Sequence, residues 1–447
     1  MLQGQQADTF ALLLAGAALS AAFVLVVRAR PQLAVVTWAL TIAFVPYWLG
    51  VSAGAAYVPP AALVAGLAVV ALIGLRGVRL RSPDAIVAAV VVLTVIAAGL
   101  GFVTVHALSV VVVDWGLAYL LARMVGALVG LEWVYGVVAG VLAVAGALAV
   151  FEFFTGTNLF VDLGPPSGLH ASWGALQERG GVLRAEGAFG HSIALGVSLA
   201  LAVPLTLGSA LRFKIKMVFI GVLVAGVILS FSRIAIGTAV LGLVLAILLL
   251  RSAMRPRARV LLAVVFGIVA MLAMPVIGQV FDAAGEEAAG SAAYRSRLWT
   301  LLPSIRVLGT ASSAERTADG TLHFGEFRSI DSALLYSGLV YGWLVMVLLG
   351  LLYLAGIISL LRRASAPGIA VVAQLPAVLS VALITQYAPV LWFVIGLAVS
   401  ARAERVVPGA RRPLRSPRSV GMPRLGARQI STSPQAVEGE GHHAEGT

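Results

Sequence analysis

The sequence predicts an all-α, polytopic transmembrane helix bundle of about 12–13 spans, and three observations predict it. Apolar residues make up 60% of the 447-residue chain and charged residues only 11%, with a mean hydropathy of +1.01. A water-soluble domain carries about 25% charged residues. Apolar runs near or above the ~18-residue spanning length recur from Phe10 to Ser400. The net charge of +12 sits in short basic clusters between those runs, the positive-inside pattern rather than a nucleic-acid-binding face. Lipid offers no partner to a backbone N–H or C=O, so each span must satisfy its own, as a helix does. The runs are too long and too unalternating for barrel strands.

The elements follow in order. MLQGQQADTF lacks the basic region of a signal peptide, so the run 10–27 reads as a retained span. Further spans are expected at 32–49, 59–75, 84–103, 105–122, 132–154, 190–211, 215–231, 233–250, 260–280, 333–361, 367–385 and 387–401. The close pair at 84–122 leaves the count at twelve or thirteen. Arg28 and Arg30, "RGVRLR" (76–81), Arg123, "RFKIK" (212–216), "RSAMRPRAR" (251–259) and "LLRRAS" (360–365) fall on alternate connections. All of them face the cytoplasm together if the N-terminus is outside and the C-terminus inside. "GALVG" (126–130) and "GVVAG" (136–140) are small-xxx-small patterns suited to helix packing. Two outer connections, about 155–189 and 281–332, are far longer than the other turns; such lengths are usually functional or disordered. Residues 1–401 thus form the membrane domain. The Arg/Pro-rich segment 402–447 reads as a disordered cytoplasmic tail in reach of anionic lipid. The absence of cysteine excludes disulfides and thiolate metal sites.

Arg233 is the one charge between Met217 and Leu250. Those residues would make a helix of roughly 50 Å, against a hydrocarbon core of about 30 Å. Two short helices joined near "SFSR" resolve the mismatch and bring Arg233 to the outer boundary. At the bilayer centre it would cost at least ~2.5 kcal/mol. An anchoring arginine that snorkels is the plain reading, but arginines usually collect on the opposite, cytoplasmic side.

Other outer residues share this chemistry. In "VLRAEGAFGHSIALG" (182–196), Arg184 and His191 flank Gly187 and Gly190, whose bare backbone permits close approach to a ligand. The helix that begins there offers free N–H groups to an anion; the plainer alternative is a loop-to-helix turn with an exposed Arg–Glu pair. In "YRSRLW" (294–299), Arg295 and Arg297 precede a weakly amphipathic stretch through Leu308 and suit either a ligand or a solvated face. Asp331 reads as a helix N-cap or a reactive carboxylate. Asp114, inside "SVVVVDWGLAYLL", is either an intramembrane functional group or an interfacial one beside Trp115. Guanidiniums are always charged and offer forked donors, which suits a phosphate-bearing substrate. They neutralise a diphosphate leaving group without a metal, and the chain holds no DxD, HExxH or Walker sequence. No cofactor is expected; "GHHAEG" in the tail lies on the cytoplasmic side.

Four stretches, "RAEGAFGHSIALG", "LSFSRIAIG", "YRSRLW" and "SIDSALLYSGLVYGW" (329–343), resemble in order the motifs of the O-antigen ligase and polymerase family of membrane glycosyltransferases. "TQYAPVLW" (385–392) is similar to that family's last hairpin. The resemblance covers roughly the C-terminal two-thirds. It implies a GT-C-type bundle that transfers a glycan, with inversion, from a polyprenyl-diphosphate donor to a glycan or lipid-glycan acceptor hydroxyl. It further implies that Arg184, Arg233 and Arg295 or Arg297 grip the diphosphate. Ligase members place a histidine at the position of Asp331 and an asparagine at that of Ser332. The base is therefore open among Asp331, Glu186, His191 and His323. The expected location is a bacterial-type plasma membrane. A lipid-linked glycan flippase and a cell-wall-elongation-type glycan polymerase are the rival readings.

Overall fold

The computed structural model describes residues 2–75, 77–250, 256–283, 294, 296–317 and 322–404. Arg295 and the tail, with its paired histidines, lie outside the described residues. The apolar runs become helices that end where Gly, Pro or a basic cluster interrupts them: α1 (Leu2–Ala29), α2 (Gln32–Phe44), α3 (Pro60–Leu72), α4 (Ser82–Gly99), α5 (Val105–Leu128) and α6 (Leu131–Thr155). They continue with α7 (Gly168–Trp173), α8 (Ser192–Gly208), α9 (Phe213–Leu229), α10 (Arg233–Leu249) and α11 (Pro256–Ala283). The last are α12 (Ala333–Tyr341), α13 (Trp343–Arg362), α14 (Ala366–Ala373), α15 (Leu375–Ser380) and α16 (Tyr387–Glu404). Antiparallel hairpins pair β1 (Val51–Ala53) with β2 (Ala56–Val58), β3 (Glu178–Arg179) with β4 (Val182–Leu183), and β5 (Ala314–Arg316) with β6 (Leu322–Phe324).

Four of the described helices, α4, α5, α6 and α13, are long and apolar enough to cross a membrane. Their outward side chains agree with lipid contact: Val92, Val95, Val144, Val347 and Leu354 are exposed, and an apolar belt of this extent is not left facing water. Several expected spans are divided. Gly342, at φ 96°, separates α12 from α13 within 333–361, and the run 367–385 breaks at Gln374 before Pro376. The long run around Arg233 breaks as its length requires, with α9 ending at Leu229 and α10 starting at Arg233.

Helix α8 is the centre. Every residue from Ala194 to Leu207 is buried, and α6, α9, α10, α14 and α16 pack on it. Its core contacts are dispersive, because lipid tails are as apolar as leucine and give little hydrophobic drive between helices.

The basic connections gather at one end, where they cap helix C-termini. Arg28 donates to the carbonyls of Ala71 and Ile73 at 3.1 and 3.0 Å, Lys216 to Leu207 at 2.9 Å, and Arg259 to Ile247 at 2.9 and 3.1 Å. Each cation meets orphan carbonyls at the negative end of a helix dipole. Arg123 is buried there against Asp84, Nε to Oδ1 at 2.8 Å and Nη2 to Oδ2 at 3.0 Å, with further donation to Ser400 Oγ and the Arg79 carbonyl. The two long connections lie at the other end of the bundle.

Candidate functional site

The first long connection is ordered by its own turn chemistry. Gly180 and Gly181, both at positive φ, form the two-residue turn that pairs Arg179 with Val182. The hairpin carries Arg179 to the α9–α10 turn, where its Nη1 donates to the Phe231 carbonyl at 3.0 Å. Five residues along the chain, Arg184 Nε donates to the Ser230 carbonyl at 2.9 Å, and the Ala185 N–H to Leu229 at 3.1 Å. The turn they hold is strained. Phe231 sits at φ 43°, a left-handed conformation unusual for an aromatic residue, with its ring buried near Phe153. Such outliers cost of order 1–3 kcal/mol and persist where the surroundings over-determine them.

Arg184 and Glu186 are 5% and 1% exposed, so the expectation of an exposed pair does not hold. Glu152, from the last turn of α6, receives N–H bonds from Glu186 at 3.1 Å and Gly187 at 2.8 Å. The Asn158 side-chain amide adds a third at 2.9 Å. Glu186 Oε1 accepts from the Gln177 N–H at 2.9 Å. Among the described residues, both carboxylates are thus served by amides. Burial, reinforced by the nearby Glu152, raises the Glu186 carboxyl to about 8 despite the opposing Gln177 bond and Arg184 charge. It holds its proton at neutral pH.

His191 is the N-cap of α8: its Nδ1 accepts from the Ile193 N–H at 3.1 Å. That bond places the ring proton on Nε2. Burial, then the Arg184 charge, lowers the imidazole to about 4. His191 is therefore neutral, with its acceptor nitrogen occupied, an arrangement suited to capping rather than proton abstraction. Gly190, at φ 61°, does permit a close approach, but to the protein itself: a side chain there would strike the Trp173 carbonyl and the Trp48 ring. Trp48 in turn bonds the Leu163 carbonyl at 2.8 Å, which closes the connection over the end of α8.

Arg233 is the first residue of α10 and is exposed. Ser232 is the cap, its Oγ accepting from Ala235 at 3.2 Å. A cation at this position meets the positive end of the helix dipole, the reverse of Arg28, Lys216 and Arg259.

The other expected residues belong to the second connection. Arg297 faces Glu326 at 3.5 Å with both side chains largely exposed. The stretch expected to be amphipathic is a 3-10 turn over Trp299–Ser304 that runs on without regular structure through Leu308. His323 lies half-buried in β6 opposite Glu315. Asp331 is half-buried and accepts from Ser329 Oγ at 3.1 Å. It is not the N-cap of α12; Ser332 is, with Oγ accepting from Leu335 at 3.3 Å. The segment 381–386 joins the two connections. Val381 accepts from the Ala333 N–H at 2.9 Å, and Gln386 Nε2 donates to the Ala188 carbonyl at 2.7 Å.

The structure thus seats Arg184 on the turn that leads into Arg233, with Glu186 and His191 in the same connection, while Asp331 lies in the second connection, which 381–386 ties to the first through Ala333 and Ala188. Sequence reasoning missed Arg179, Gln177, Asn158 and above all Glu152. A carboxylate inside "GALAVFEFFTG" is the signal that marks an intramembrane functional group. Asp114 is buried within a π-helical turn of α5, at Val110–Gly116. No protein-family model and no curated protein sequence matches the chain.

Proposed function

We propose that the protein is a membrane glycosyltransferase of the O-antigen ligase or polymerase type. It takes glycan from a polyprenyl-diphosphate donor on the face that carries the two long connections. On this reading that face is extracytoplasmic, the membrane is a bacterial-type plasma membrane, and the shorter apolar helices complete a bundle of about 12–13 spans. The observation that carries the reading is the exposed Arg233 at the positive end of α10, beside a strained turn held by Arg179 and Arg184. Cations and two helix N-termini, those of α8 and α10, accumulate positive potential that an anionic ligand relieves.

The chemistry then follows. The acceptor hydroxyl attacks the anomeric carbon from the face opposite the leaving group, and the carbon–oxygen bond to the diphosphate breaks with its electron pair. Arg184 and Arg233, with Arg295 or Arg297, neutralise the departing charge. Asp331 receives the hydroxyl proton. Two rivals for that role are weakened: His191 has its acceptor nitrogen committed to Ile193, and Glu186 carries a proton near neutral pH. His323 remains the alternative in the same connection as Asp331.

One observation favours the flippase reading. Asp114 Oδ1 is buried without a hydrogen-bond partner among the described residues, in a π-helical turn of a spanning helix, and such turns cluster at functional sites. Purified protein in vesicles, given a polyprenyl-diphosphate oligosaccharide, distinguishes the two. Transfer to an acceptor with EDTA present supports the transferase. Movement of donor between leaflets without transfer, abolished by Asp114→Asn, overturns it.

A further inference from the structure

Part of the second long connection lies flat against the bundle, laid from the α4–α5 turn to the start of α13. The N–H and Oγ1 of Thr310 both donate to the Phe102 carbonyl at 3.0 Å, between α4 and α5. Gly309 donates to the Tyr341 carbonyl at 2.9 Å, and the Arg306 and Val307 carbonyls accept from Trp343 and Leu344 at 2.9 and 3.1 Å. Those last two N–H groups open α13 and have no partner within the helix, so the strap and the helix start satisfy each other. Two glycines permit this approach. At Gly309, φ 88°, a β-carbon would come within 2.5 Å of Phe102 Cβ, and at Gly342, φ 96°, within 2.7 Å of the Leu308 backbone.

The side chains divide. Ile305 is buried, whereas Val307 is 68% exposed. Its surroundings are apolar too: Leu344 beside it, and Leu100, Phe102 and Val105 around the α4–α5 turn, are exposed. Helix lengths fix the height of this patch. Helix α13 has 20 residues and ends on Arg362, and α4 has 18 and begins just after Arg81. They rise roughly 30 and 27 Å across a hydrocarbon core of about 30 Å. Counted from the basic boundary, both helices bring the strap to the opposite boundary of that core. Val307 therefore continues the lipid-facing belt of Val347 and Leu354 on α13.

We propose that residues 305–310 are a membrane-seated strap whose partner is the phospholipid leaflet, with Val307 among the acyl chains and Arg306 at the phosphates. Non-helical backbone is tolerated at this depth only where its polar groups are satisfied, which the bonds to Phe102, Tyr341, Trp343 and Leu344 accomplish. Arg306, exposed next to Val307, reaches the headgroups as arginines at a membrane boundary do. The exposed Trp343 occupies the level that tryptophan prefers. The strap holds the second connection, which carries Asp331, on the leaflet surface. The inference needs the membrane-spanning helices and no part of the glycosyltransferase reading.

The test uses the full chain in vesicles of phosphatidylcholine and phosphatidylglycerol. The sequence holds no cysteine, so Val307→Cys, Arg306→Cys, Leu344→Cys and Glu315→Cys each carry a single nitroxide. Leu344 is the lipid reference, and Glu315, exposed on β5 of the same connection, is the water reference. Power-saturation electron paramagnetic resonance reads collisions with oxygen, which concentrates among acyl chains, and with a water-soluble nickel chelate admitted to both sides. Val307→Cys should match Leu344→Cys, rich in oxygen collisions and shielded from nickel, with Arg306→Cys intermediate between Val307→Cys and Glu315→Cys. Nickel access at Val307 equal to that at Glu315 overturns the acyl seat. Shielding of Val307 from both probes overturns it as well, because protein then covers the side chain. Nickel access at Arg306 equal to that at Glu315 overturns the headgroup contact. A wild-type thermal midpoint confirms folding, and Phe102→Cys, at the Thr310 contact, reads the same layer if Val307→Cys does not fold.

Discussion

At the end that carries Arg28, Lys216 and Arg259, these cations lie on helix C-terminal carbonyls, and Arg123 forms a two-pronged ion pair with Asp84. At the other end, Arg233 occupies a helix N-terminus, Arg179 and Arg184 spend donors on a strained turn, and Glu152 and Glu186 are buried among amides. The same residue types therefore serve opposite purposes. One end lowers its electrostatic energy within the protein. The other keeps unfavourable placements that only the surrounding structure, or an arriving anion, stabilises. Local strain and misplaced charge of this kind accumulate at functional sites.

The largest expected effect tests whether the two ends are separable. Asp84→Asn leaves Arg123, 4% exposed, without its counter-charge, and breaking a buried pair in this way costs about 3–5 kcal/mol. Thermal unfolding in detergent should register that loss, while glycan transfer per folded molecule holds. A parallel loss of transfer would merge the two ends into one network.

A second test turns on Glu186. Its carboxyl is raised from 4.5 to about 8 in the folded protein. A raised folded value means that stability is full below about pH 4.5 and declines as pH rises toward 8, because the unfolded chain ionises first. Each pH unit in that window is worth at most about 1.4 kcal/mol. Glu186→Gln should therefore match the wild type near pH 4.5, gain on it steadily to pH 8, and keep a constant advantage above. A variant that loses ground with rising pH would show that Glu186 is ionised and paired.

The smallest effect concerns His191. His191→Ala removes the α8 cap and should cost about 1 kcal/mol, whereas His191→Asn, a capable cap, should restore the melting temperature. If transfer is lost in the thermally normal asparagine variant, the imidazole acts on substrate after all.

Much of the fold was legible because membranes impose simple lengths. The break at "SFSR" followed from a run too long for one span, and the basic clusters foretold one common end. The candidate site was less legible. Arg184 and Arg233 stood out as charges in unexpected places, yet that Arg184 is buried on the Ser230 carbonyl depends on a contact 46 residues away in sequence. Glu152 lies 34 residues before the Glu186 N–H it binds. The protonation of Glu186 comes from that enclosure, which no local pattern encodes. Asp331 looked like a helix cap beside an equally good cap, Ser332, and only the backbone shows which one fills the role.

Arg233→Ala measures the central claim most directly, with donor turnover and thermal midpoint read on the same preparation. Turnover from the polyprenyl-diphosphate donor should fall by about two orders of magnitude or more. The midpoint checks that the variant is folded at the assay temperature. Unchanged turnover, or a midpoint that collapses along with it, contradicts the account.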